Sequence, residues 1–111
     1  MSKDWRLYAE HIVETVEKIR RVAERGDIRQ DEALYAASLR FLQTLSEATQ
    51  KLPEELKKRH AEIDWKGIIG FRNILVHSYL GSSIDEDTVV DIIDEQLGPL
   101  QSAVKKMLGH E

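Results

Sequence analysis

The sequence has no cysteine, only two prolines and six glycines in 111 residues. Without cysteine there can be no disulfide, no thiolate nucleophile and no thiolate metal site, which fits a reducing compartment. Few helix breakers and 41% hydrophobic residues predict a folded helical chain rather than a disordered one. No apolar run approaches the length of a membrane span, and Met1 to Glu10 lacks the apolar core of a signal peptide. The expectation is one cytoplasmic domain over residues 1–111, away from any membrane. Base is absent from another place: Ser82 to Gln101 holds six acids and no lysine or arginine. The net charge of −4 argues against broad affinity for nucleic acid, so RNA would need a local basic patch away from that segment.

What is present is helical periodicity. A first helix is predicted from Asp4, a good N-cap, to just before Gly26, with the stripe Trp5, Tyr8, Ile12, Val16, Ile19 and Ala23. Its end is basic, with Lys18, Arg20, Arg21 and Arg25, followed by Arg29. A second helix spans about Asp31 to Gln50 and faces the core with Leu34, Ala37, Phe41, Leu45 and Ala48, continuing to Leu52. Arg40, Gln43 and Glu47 form a polar line on that helix, either solvated or one wall of a cleft. Residues 51–63 form an exposed connector in which Pro53 suits the first turn of a short helix and Lys57, Lys58, Arg59 and His60 cluster.

The third helix, from Asp64 to about Tyr79, breaks the amphipathic pattern. Trp65, Ile68, Ile69, Leu75 and Val76 share one wide face, and the spacing puts Arg72 in its middle with Tyr79 below. Gly67 and Gly70 inside it each cost about 1 kcal/mol against alanine. They make sense where another helix comes close, so a homodimer, or a higher assembly, through this helix is expected. The fourth helix carries Ser83 and Glu86 in capping-box spacing and the stripe Val90, Ile93, Leu97, Leu100, Val104 and Met107. Gly98-Pro99 should kink it or divide it into two helices. No strand period persists. The fold class is therefore all-α, an up-and-down bundle of four main helices.

No histidine pair has metal spacing, and neither a phosphate-cradling glycine loop nor a nucleophile elbow occurs. No metal or cofactor is expected. What remains is Arg72-Asn73-Ile74-Leu75-Val76-His77-Ser78-Tyr79, an R-x4-H-x-Y pattern. Spacing alone is weak, because Arg6 and His11 repeat it in the first helix. A histidine can take the proton of an RNA 2′-hydroxyl, and a guanidinium can hold the phosphate as its charge rises. The structural alternative has Arg72 paired to Glu47, His77 capping a helix end and Tyr79 in the core. Residues five apart on a helix diverge by about 140° and about 7.5 Å along the axis. Arg72 and His77 therefore converge only at a frayed end or across a twofold axis.

R-N-x-L-V-H-x-Y following a tryptophan and two glycines resembles the HEPN superfamily, specifically the HepT-like toxins. The second helix resembles that family's R-A-L-x-I-I-G-E-A signature and its following L-P, here Arg40-Phe-Leu-Gln-Thr-Leu-Ser-Glu47-Ala48 and Leu52-Pro53. Ser46 stands where the pattern has glycine, which touches local backbone closeness and not the Arg72/His77 pair. The Gly98-Pro99-Leu100 break also sits where the family tends to have a proline. The resemblance implies a dimerising helical bundle and a metal-independent endoribonuclease acting as a toxin. It implies Arg72 and His77 as catalytic, Tyr79 and Asn73 in substrate binding or modification, and Glu47 and Arg40 in support. It also implies a nucleotidyltransferase antitoxin that adds AMP to Tyr79. A noncatalytic helical partner of such a nucleotidyltransferase is the alternative reading, favoured by the acidic balance.

Overall fold

A computed structural model describes residues 4–77 and 86–109, excluding the side chains of 72–77. Leu75, Val76, Tyr79 and the proposed Ser83 cap therefore lie outside what is described, in whole or as side chains. The described chain is all-helical, with six helices and no strand: α1 Asp4–Arg25, α2 Glu32–Thr49, α3 Glu54–Lys58, α4 Trp65–His77, α5 Glu86–Glu95 and α6 Leu97–Met107. Among the described residues no helix is long and apolar enough to cross a membrane. The helix α1 packs on α2 and α6, α2 also packs on α4, and α5 packs on α6.

Helix ends follow their residues. The carboxylate of Asp31 accepts from the backbone N–H groups of Ala33 and Leu34 (2.9 and 3.1 Å), satisfying two donors that open α2. Pro53 stands immediately before α3 in extended conformation. The fourth predicted helix is two, as one of its alternatives had it. The break falls at Gln96, so Pro99 sits in the first turn of α6, where a missing N–H costs nothing.

The core differs in detail from the predicted stripes. In α1, Ile12, Val16 and Ile19 are fully buried as expected, but Tyr8 and Ala23 are exposed and Ala9 and Thr15 are buried instead. In α2 the buried line is Ser38, Leu42, Leu45, Ser46, Ala48 and Thr49, while Leu34, Ala37 and Phe41 are half-buried. Three hydroxyls enter that line without penalty, because each donates to a carbonyl of its own helix. Ser38 bonds the Leu34 oxygen (2.9 Å), Ser46 that of Gln43 (2.9 Å) and Thr49 that of Ser46 (2.7 Å). Ser46 is thus accommodated with no access to solvent.

Two polar clamps join distant segments. The amide of Gln101 on α6 donates to the Val13 carbonyl (3.1 Å) and the Glu17 carboxylate (2.9 Å) and accepts from Arg20 Nη1 (2.8 Å). The hydrogen bond from Gln101 is the main reason the Glu17 carboxyl lies below its ordinary pKa. Arg29 Nε donates to Asp87 Oδ1 at 2.6 Å, tying the α1–α2 loop to the start of α5 and raising the Arg29 pKa.

Candidate active site on helix α4

Helix α4 is anchored at its first turn. Asp64 Oδ1 accepts from the Gly67 N–H (3.0 Å) and the Asp64 carbonyl accepts from Ile68 N–H (3.0 Å). The side chain of Asp64 occupies the space a Cβ at Gly67 would need, which accounts for glycine there within the chain itself. At Gly70 an added Cβ meets nothing within 4 Å among the described residues, so no close approach among them explains that glycine.

The Trp65 indole fixes the entry to α4 from the side. Its Nε1 donates to two carbonyls of the preceding segment, Lys57 and His60, both at 3.0 Å. Lys57, expected in an exposed connector, is buried at 3% exposure. Its Nζ donates to the Thr49 carbonyl at the end of α2 (3.2 Å) and pairs with exposed Glu54 (3.1 Å). The chain from α2 to α4 is therefore a set of mutual braces. A lysine reads as solvated in a basic cluster because its identity carries no sign of the carbonyl it will meet.

The face that α4 buries is defined by Ile68 and Phe71, at 2% and 9% exposure, while Trp65 and Ile69 are half-buried. Among the described side chains of α4, which end at position 71, Phe71 joins Ile68 in the buried line.

Arg72, Asn73 and His77 all lie on α4. Their side chains, and the whole of Tyr79, are outside the described residues. Because α4 continues through His77, positions 72 and 77 belong to one regular helix and diverge by about 140°. On α2, which packs on α4, Arg40 is exposed and Glu47, seven residues later, is half-buried. The second R-x4-H copy is engaged locally. The Arg6 guanidinium sits over the Trp5 ring at 4.9 Å, and the His11 carbonyl accepts from Thr15 Oγ1 at 2.6 Å. Among the described residues no three His, Asp or Glu side chains gather as a metal site.

The model of the family described as ribonuclease HepT-like matches residues 9–107. A Caldanaerobacter subterraneus subsp. tengcongensis protein named "Putative RNase" is 30% identical over 110 residues, 96% of each chain. A Methanocaldococcus jannaschii protein named "Gamma-glutamylcyclotransferase and putative RNase" is 26% identical over 111 residues, 97% of this chain and 49% of that one. The "Probable ribonuclease HepT" of Thermococcus cleftensis is 26% identical over 110 residues, 96% of this chain and 98% of its own. No solved structure matches the chain significantly.

Proposed function

Because this chain belongs to the HepT-like ribonuclease family, we propose that it is a metal-independent endoribonuclease, the toxin of a toxin–antitoxin pair. The observation that carries the reading is the family match across residues 9–107, which includes the whole of Arg72-Asn-Ile-Leu-Val-His77-Ser-Tyr79. In this reading His77 removes the proton of a 2′-hydroxyl. The freed oxygen attacks the adjacent phosphorus, the bond from phosphorus to the 5′-oxygen breaks, and the leaving oxygen takes a proton from water, giving a 2′,3′-cyclic phosphate and a 5′-hydroxyl, while His77 returns its proton to solvent. Arg72 holds the phosphate and meets the charge that builds on its oxygens. A pair diverging by about 140° along one helix is best used across two copies of the chain, so the site is a cleft of a homodimer.

Tyr79 and Asn73 contact the RNA, with Arg40 and Glu47 supporting from α2. A nucleotidyltransferase antitoxin silences the enzyme by adding AMP to Tyr79, which sets a negative phosphate where that of the RNA must bind.

The test is cleavage of a mixed cellular RNA pool in excess EDTA by the wild type beside His77→Ala. Cutting by the wild type alone, leaving cyclic phosphate ends, supports the nuclease. No cutting by either protein, with Tyr79 shown by mass to be unmodified, moves the assignment to a noncatalytic partner of the nucleotidyltransferase.

A further inference from the structure

An open cleft of about 690 Å³ lies between α3 and the first turns of α4. Ile63, Trp65 and Ile69 provide its apolar wall, and Lys58 and Lys66 stand on it as exposed cations. The cleft also holds three acids, each with an engagement of its own: Glu54 pairs with Lys57, Glu62 with His60 (3.5 Å), and Asp64 caps α4. Lys58 and Lys66 have no ion-pair partner among the described residues. The two bonds from Nε1 hold the Trp65 ring in place, so a base stacking on it need not order it first.

The register of α4 ties this cleft to the reactive pair. Positions 65, 66 and 69 centre on a line along the helix which, continued towards the C-terminus, runs midway between positions 72 and 77. Ile69 precedes Arg72 by about 4.5 Å of helix axis and His77 by about 12 Å. A single RNA strand whose phosphate is held at Arg72 of this copy, with His77 supplied across the dimer, would thus reach the cleft with a neighbouring nucleotide.

We propose that the Trp65–Ile69 cleft is a subsite for single-stranded RNA, in which Trp65 stacks a base flanking the scissile phosphate and Lys58 and Lys66 hold its backbone. Fixed aromatic surface beside unpaired cations is the combination that binds single strands with little regard to sequence. The ligand class rests on the nuclease reading above.

Trp5→Phe leaves Trp65 as the sole tryptophan of the chain. Titrating that protein with a single-stranded 2′-O-methyl RNA, which lacks the attacking hydroxyl, should quench Trp65 fluorescence to saturation. Adding Lys58→Glu and Lys66→Glu should weaken this binding about tenfold or more and raise KM for cleavable RNA by a similar factor. Circular dichroism checks that the surface substitutions leave the fold intact. No quenching, or quenching indifferent to both lysines, overturns the subsite, and cleavage at unaltered KM would then leave the nuclease reading standing. Lysine-dependent quenching by a protein that cuts no RNA would keep the subsite and remove the nuclease.

Discussion

The Lys57 ammonium lies 3.2 Å from the Thr49 carbonyl, so a residue of α3 closes the last turn of α2. The same carbonyl also accepts from the Leu52 N–H at 3.3 Å and is not orphaned when the lysine goes. The aliphatic stem, buried with the rest of the residue, should therefore carry most of the stability. Lys57→Ala is expected to cost about 1–3 kcal/mol in denaturant unfolding, and Lys57→Met less than about 1 kcal/mol. Equal losses in the two variants would assign the effect to the ammonium.

Glu17 gives the α1–α6 contact a pH dependence. Its pKa is held below the ordinary 4.5, first by the Gln101 amide. A depressed folded pKa means stabilisation that is complete above the unfolded value and is lost as pH falls through the folded one. Glu17→Gln cannot titrate. The wild type should melt above that variant at pH 7, and the gap should close as pH drops below the ordinary carboxylate range. A gap constant down to pH 3 would contradict the linkage.

Gly70 tests the proposed dimer. Among the described residues nothing lies within 4 Å of a Cβ built there, so no described neighbour blocks a side chain at that position. Gly70→Leu is expected to keep the helical circular dichroism and melting temperature of the folded monomer while converting a dimeric wild type to monomer, read by light scattering. Persistence of the dimer would put its interface elsewhere.

Helix limits were legible because they rest on local chemistry. Gly26 directly follows the end of α1, Asp31 caps α2, and Pro99 sits in the first turn of α6, just after the break at Gln96. The exact buried faces were not. Thr15, Ser38, Ser46 and Thr49 read as polar, yet each bonds a backbone oxygen of the preceding turn and so can be buried. Gln101 was missed for a related reason: its partners, Val13 and Glu17, lie more than eighty residues away in sequence. Local periodicity holds no signal for such a pairing. The candidate site divides the same way. The helix that carries Arg72 and His77 was legible from its apolar run, whereas the Trp65 cleft depends on how α3 lies against the start of α4.

Arg72→Ala separates catalysis from scaffolding. The Asp64 cap and the Trp65 braces anchor the start of α4 through groups other than residue 72. The variant is therefore expected to fold and assemble like the wild type, with a melting temperature almost unchanged. Loss of a preorganised positive charge at a phosphate undergoing attack should lower cleavage about 10²–10³-fold or more. A structural role predicts the reverse pattern. Breaking a buried ion pair with Glu47 would cost about 3–5 kcal/mol, and the assembly would be lost along with activity. Measuring melting temperature, mass in solution and cleavage rate on one preparation distinguishes the two, because only a catalytic arginine loses rate while keeping stability.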